Sequence, residues 1–245
     1  IKRLPYDFNP GEKYLYNNSR YFLAGYIVEK VSGRSLYDYF KQTFFTPLKM
    51  TNTGMHTSKL RLTNEARGYG KTDKYEPALN WDMSWAAGAG ALYSTVDDLN
   101  KWNEALFSGK VLSKESVVAM FTPAKLKDQP AADVGYGYGI GINDFRGEKV
   151  IGHSGGLHGF VSQLARFTDS KLNIVMLTNL LPVEVMLDPS AIGEIYLWQK
   201  LDSQQTYDVI DAATLSMKDY EGDYELAPGM KMEIRTDGSS LFAKL

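Results

Sequence analysis

Two stretches of this chain combine residue types that can do chemistry. Tyr16-Asn17-Asn18 sets a phenol and two carboxamides directly before an amphipathic segment, and "IGHSGGLHGF", Ile151 to Phe160, places two imidazoles among glycines. A phenol can take or relay a proton, a carboxamide can both donate and accept a hydrogen bond, and an imidazole titrates near neutrality. Gly155, Gly156 and Gly159 let the backbone pass close to a bound group. Each stretch also has a plainer reading. Asn18 or Ser19 suits the N-cap of the following helix, which leaves Tyr16 unexplained, and His153 can serve structurally by donating to a turn carbonyl. As zinc ligands His153 and His158 fit poorly, with no helix between them and no acidic pair nearby in sequence, so no metal site is assigned.

The elements that must position these groups follow from periodicity. Phe22, Leu23, Tyr26, Ile27 and Val31 recur at helical spacing and predict a helix over 19–31 with this face buried, closed by Gly33. A second helix is predicted over 35–45, ending before Pro47. Residues 51–86 keep no period and predict a long loop with short strands, with Trp81 and Trp85 as aromatic anchors. Ser94 or Thr95 followed by Asp97 or Asp98 resembles a capping box and starts a helix whose face is Leu99, Trp102 and Leu106, ending at Gly109. The small residues Gly88-Ala89-Gly90-Ala91 permit close backbone approach. From Tyr136 to about residue 180 the pattern predicts three adjacent antiparallel strands, with a hairpin turn at Asp169-Ser170-Lys171 and His153-Ser154-Gly155 at the end of one strand. A helix over 188–201, apolar at Ile192, Ile195, Tyr196 and Leu201, would cover one sheet face. Beyond Gln204, "YEGDYEL" and the segment around Asp237-Gly238 predict short strands of a separate small β-domain.

Composition narrows the classes. The chain has 245 residues, 44% of them hydrophobic, with a formal charge of -2 and no cysteine. It can bury a full core, has no basic stripe to bind nucleic acid, and offers neither disulfide nor thiolate. No apolar run approaches the roughly 18 residues that cross a bilayer. The first residues, Ile1-Lys2-Arg3-Leu4-Pro5, lack an initiator Met and a leader pattern, so the expectation is a piece of a longer protein.

Taken together, Tyr16-Asn17-Asn18 before a helix ending "EKVSG", the segment "GAGALYSTVDDLNKW", and "GHSGGLHGF" before two strands resemble, in order and separation, the serine β-lactamase family, which includes class C β-lactamases, DD-peptidases and related esterases. The resemblance covers nearly all of residues 5–200, and "YEGDYEL" resembles the start of a lipocalin-like appendage. It implies an α+β, β-lactamase/transpeptidase-like fold, incomplete at its N-terminus. Residues 1–205 would form the main domain, helical over about 1–130, with the sheet and its covering helix over about 131–205. Residues 206–245 would begin the second domain. By the same resemblance Tyr16 would take or relay a serine proton, Asn18 would hydrogen-bond the substrate amide, and His153 would support both Tyr16 and a substrate carboxylate. Ser154, Gly155 and Gly156 would bind substrate along the strand.

One element of the family pattern is missing. No Ser-x-x-Lys tetrapeptide occurs in the 245 residues, and Thr122-Pro123-Ala124-Lys125 has the spacing only, downstream and in a Pro-containing turn. The nucleophile is therefore unassigned. Two readings remain: part of a serine hydrolase acting on β-lactam, D-Ala peptide or ester substrates, or a non-catalytic binding or scaffold protein that keeps the cleft. Either implies a small-molecule or peptide ligand, no nucleic acid and no cofactor, and a periplasmic or secreted location. The uncovered sheet predicts either a missing N-terminal segment as partner or self-association. Tyr136, Tyr138, Trp81 and Trp85 either line the pocket or belong to the core.

Overall fold

The computed structural model describes residues 5–57, 59–71, 73–79, 81–127, 129–133, 135–181, 188–201, 216–227, 230–238 and 240–244. The chain divides into two compact units, Ile1–Trp198 and Gln199–Leu245. The sequence-based boundary at 205/206 lies outside the described residues.

The first unit is α+β. Its centre is an antiparallel sheet of four strands, β1 (Gly141–Phe145), β2 (Glu148–Leu157), β3 (Phe160–Phe167) and β4 (Leu172–Thr178), in the order β4-β3-β2-β1. Three strands were expected and four are found. The "YGYGIGI" stretch is a turn up to Ile140, closed by a bridge between Tyr136 and Gly141 and by Gly137 N donating to the Ile140 carbonyl at 2.8 Å. The extra hairpin turns at Arg146-Gly147, both with positive φ. His153 also sits within β2 rather than at its end, because β2 keeps pairing with β3 as far as Leu157↔Phe160. Alternation along the strands gives the sheet two buried faces. On one, Ile142 and Ile151 pack with Ile140, Phe107, Met120 and Phe121. On the other lies Phe167, fully buried.

Helices cover both faces. α1 (Asn18–Ser32), α2 (Leu36–Phe40), α3 (Val96–Phe107) and α4 (Lys114–Met120) precede the sheet in the chain, and α5 (Pro189–Leu201) follows it. On the Ile151 face α3 is pinned by polar contacts, with Arg166 donating to Glu104 and Asn173 bonded to Asn100, Asn103 and Glu104. On the opposite face α5 approaches through Gly193, where a Cβ would lie 2.3 Å from the Phe167 ring. Ile195 and Tyr196, expected to face the sheet, are exposed instead, because Gly193 and Leu197, one turn apart, take the buried stripe. The predicted second helix is α2 continued by a π-helical turn, Lys41–Phe45, and α4 had no expectation at all.

α1 departs most from expectation. Its N-cap is Asn17, whose Oδ1 accepts from Ser19 N at 2.7 Å, rather than Asn18 or Ser19. Phe22, Leu23, Tyr26, Ile27 and Val31 are 44–83% exposed, and Gly25 is the buried residue of the helix. The reason is backbone contact. Gly25 lies against Gly88 in the 3₁₀ turn Ala87–Ala89, and a Cβ on Gly88 would come within 2.6 Å of the Tyr21 carbonyl oxygen. The helix is thus seated through its glycine, while Phe22, Leu23 and Tyr26 form a wall of an open cleft.

The second unit carries a 3₁₀ turn, Met217–Tyr220, and an antiparallel sheet of β5 (Gly222–Ala227), β6 (Met230–Thr236) and β7 (Leu241–Lys244). The Asp237-Gly238 turn joins the last two, with Asp237 Oδ1 accepting from Ser240 N at 2.9 Å.

The start of α3 generates a prediction. Thr95 caps the helix by accepting from Asp98 N. Asp98, fully buried, accepts from Asn52 N (2.7 Å), Thr53 Oγ1 (3.0 Å) and Lys101 Nζ (2.6 Å). Burial alone would raise its carboxyl, but the Lys101, Asn52 and Thr53 hydrogen bonds outweigh it and the pKa is lowered. A carboxylate depressed in the folded state contributes stability above its unfolded pKa, about 3.9, and that stability is lost as pH falls through the folded value. Asp98→Asn should lower stability at pH 7 by about 1.5–3 kcal/mol and flatten the acid side of the stability profile. Denaturant melts across pH read both effects.

Candidate active site

The site is built where α1 begins and where β2 outruns its neighbour. Pairing of β2 with β1 ends at Gly141↔Gly152, whereas pairing with β3 continues to Leu157. From His153 onward β2 therefore has no β1 residue beside it and presents a strand edge to a cleft of about 2150 Å³. Tyr16, Asn18, His153, Ser154, Gly155 and Gly156 all line this cleft.

The structure brings Tyr16 to His153, with ring centroids 5.9 Å apart. It does not hydrogen-bond them. Among the described residues the Tyr16 hydroxyl has no hydrogen-bond partner, and the ring is about half exposed. Because Asn17 does the capping, Asn18 at the first helical position keeps its carboxamide unengaged among the described residues. The three adjacent residues thus divide their work: Asn17 ends the helix, and Tyr16 and Asn18 face the cleft.

His153 is bonded at both ring nitrogens, Nδ1 at 2.5 Å from the Ser154 carbonyl and Nε2 at 2.7 Å from Tyr136 Oη. Tyr136 also touches Tyr14 and Tyr16, with centroids at 5.6 and 6.2 Å. Its phenol is pushed well above the usual range, chiefly by burial, with the neighbouring Tyr21 and Tyr16 phenols adding to the shift. The sequence leaves Tyr136 open between core and pocket; the structure has it line the cleft and bond His153. The signal was weak, an aromatic in a Gly-rich turn. The turn itself is locked onto α1, since a Cβ on Gly139 would lie 3.0 Å from Tyr21 Oη.

The outer cleft is aromatic. Trp81 stacks on His158 at 4.2 Å and 12°, with Trp85 edge-on to Trp81 at 5.7 Å. Both tryptophans line the cleft and are about half exposed, so they are wall rather than core, whereas Tyr138, 75% exposed, stands outside it. The small residues Gly88 and Ala89, read as a place of close approach, receive α1. Thr122 ends α4, donating to Val118 O, and Lys125 lies in the short strand Lys125–Leu126, so neither starts a helix. Among the described residues no three His, Cys, Asp or Glu side chains gather to hold a metal ion.

A helix-covered antiparallel sheet whose inner strand edge meets a Tyr-x-Asn helix start is the β-lactamase/transpeptidase arrangement. A family model described as Beta-lactamase matches residues 1–196, and the chain belongs to that family. It is 26% identical over 262 residues to penicillin-binding protein 4* of Bacillus subtilis, which takes in 97% of this chain and 56% of that protein. It is 30% identical over 178 residues to a D-aminopeptidase of Cereibacter sphaeroides, covering 70% of this chain and 33% of that protein. Among solved structures, the octameric penicillin-binding protein homologue from Pyrococcus abyssi superposes with a TM-score of 0.64 at 27% identity, covering 96% of this chain and 54% of that one. The chain thus spans about half or less of the length of these relatives.

Two glycines of β2 separate packing from access. A Cβ at Gly152 would lie 2.2 Å from the Leu164 carbonyl oxygen, an atom of the sheet backbone, whereas at Gly156 it would meet nothing within 4 Å. Gly152→Ala should therefore destabilise by about 1–3 kcal/mol, and Gly156→Ala should stay within about 0.5 kcal/mol. Equal denaturation midpoints for the two variants would show that the strand edge is not held as described.

Proposed function

We propose that the chain is the part of a serine hydrolase that carries the Tyr-x-Asn and His-x-Gly elements, working through an acyl-enzyme on β-lactam, D-Ala peptide or ester substrates. The nucleophilic serine, in this reading, belongs to a Ser-x-x-Lys segment outside residues 1–245. The observation that carries it is the meeting of Tyr16 and His153, far apart in the chain, in one cleft beside an open strand edge. Membership in the Beta-lactamase family and the likeness to a penicillin-binding protein and a D-aminopeptidase support it.

The residues then take distinct roles. The serine oxygen attacks the acyl carbon while Tyr16 takes or relays its proton, because a hydroxyl is a poor nucleophile without a base in reach. A phenol with a pKa of about 10 does this only beside a cation. Among the described residues Arg67 is the one Lys or Arg that lines the cleft, and the lysine of the Ser-x-x-Lys segment is the group that would sit at Tyr16. Asn18 holds the substrate amide. The β2 edge at Ser154, Gly155 and Gly156 aligns the substrate as an added strand would be aligned, and a backbone N–H there helps to receive the oxyanion. The reaction needs no cofactor.

The remaining expectations follow from this reading. Residues 1–205 are the hydrolase part and 206–245 the start of a lipocalin-like domain, in a periplasmic or secreted protein. The Ser-x-x-Lys segment, or a second copy of the chain, is the partner that covers the cleft wall of α1. With that segment joined to the chain, Tyr16→Phe should lower kcat on a chromogenic ester about 10²–10⁴-fold and change KM little, because a proton relay acts in the transition state. Unchanged kcat would return Tyr16 to a packing role.

A further inference from the structure

The two bonds at His153 determine where its proton sits. A backbone carbonyl has no proton to give, so Nδ1, facing the Ser154 carbonyl, carries the ring N–H. In the neutral ring Nε2 then holds a lone pair, and the group that meets it is the Tyr136 hydroxyl. Tyr136 has one proton and two neighbours, His153 Nε2 and the Tyr21 hydroxyl; Nε2 without a proton can only accept, whereas Tyr21 can donate, so Tyr136 gives its proton to His153 and accepts from Tyr21. The Tyr136 phenol keeps its proton well beyond neutrality, because burial disfavours the phenolate. Nor can it easily swing away. Its ring contacts those of Tyr14 and Tyr16, its carbonyl accepts from Ala124 N at 2.9 Å, and its turn is bridged to Gly141.

We propose that Tyr136 is a positioning residue that sets the neutral form of His153 as the Nδ1–H tautomer, so that the imidazole faces the cleft with both nitrogens engaged. The consequence bears on substrate. The first residue of His153-Ser154-Gly155 spends both nitrogens on Ser154 and Tyr136, so neither is left to meet a substrate carboxylate. Recognition at this point falls to the β2 backbone, which pairs with neutral amide or ester groups. The site therefore favours an uncharged amide or ester at this position over a carboxylate. This substrate conclusion rests on the reading that Tyr16, Asn18 and His153 share a site; the tautomer does not, since it is measured without turnover.

The test is ¹⁵N spectroscopy of the imidazoles in the full chain, at a pH where the rings are neutral, with His153 assigned by its loss in His153→Gln. The expected spectrum has His153 Nδ1 at a protonated, pyrrole-type shift and Nε2 at a pyridine-type shift. Tyr136→Phe, which keeps the ring and removes the donor, should move His153 toward a mixture containing the Nε2–H form, while the exposed control Tyr138→Phe should leave it unchanged. Backbone amide shifts of β2 and β3 show that each variant keeps the sheet. A wild-type His153 in the Nε2–H form, or a tautomer ratio indifferent to Tyr136→Phe with the sheet intact, would overturn the proposal. In the same spectra an N-acyl amino-acid amide should perturb His153 at lower concentration than the corresponding free acid. Equal or reversed order, or no perturbation by either probe, would overturn the substrate part and leave the tautomer result standing.

Discussion

The site depends on a contact between two glycines. Gly25 of α1 and Gly88 of the turn Ala87–Ala89 approach until a Cβ on Gly88 would meet the Tyr21 carbonyl at 2.6 Å. Side chains larger than hydrogen would push the helix off its seat, since packed interiors yield little to added volume. The same helix is held from a second direction by the turn at Gly139, which meets Tyr21 Oη. That turn leads directly into β1 and the sheet. With α1 fixed against both the Ala-rich turn and the approach to β1, its first residues have one place to go. Tyr16 and Asn18 stand at the mouth of the cleft, opposite the free edge of β2.

The chemistry of the cleft follows from how polar groups are apportioned there. Tyr136 and Ser154 together satisfy His153, and Asn17 satisfies the start of α1. Tyr16 and Asn18 are left without a hydrogen-bond partner among the described residues. Free polar side chains beside an open strand edge are suited to a substrate that supplies the missing partners. Aromatic surface from Trp81, Trp85 and His158 encloses the outer end. An apolar wall with a few convergent polar groups is the usual form of a small-ligand site.

Much of this was legible in the residues themselves, for local reasons. Asp169-Ser170-Lys171 turns where its composition says it should, between Phe167 and Leu172, and Thr95 caps α3. The Tyr-x-Asn stretch could be picked out because capping accounts for one carboxamide and leaves the phenol without a structural duty. What escaped was set by tertiary contact. The stripe Phe22, Leu23, Tyr26, Ile27 and Val31 has the spacing of a buried face, yet spacing shows only that one side is apolar, and the side that packs is decided by Gly25. The short helix Lys114–Met120 is one to two turns with two β-branched valines, too brief for a period to show. Tyr136 resembles any aromatic near glycines, because a hydrogen bond from a turn to a residue 17 positions on leaves no mark in the sequence.

The central claim is that the chain supplies the Tyr16 and His153 side of an acyl-transfer site and that the nucleophile lies elsewhere. Intact-mass spectrometry after incubation with an active-serine phosphonate or a penicillin tests it most directly. Residues 1–245 alone should gain no covalent adduct. The same chain joined to the Ser-x-x-Lys segment should gain one equivalent, mapped to that serine. A stoichiometric adduct on a serine within residues 1–245 would contradict the account.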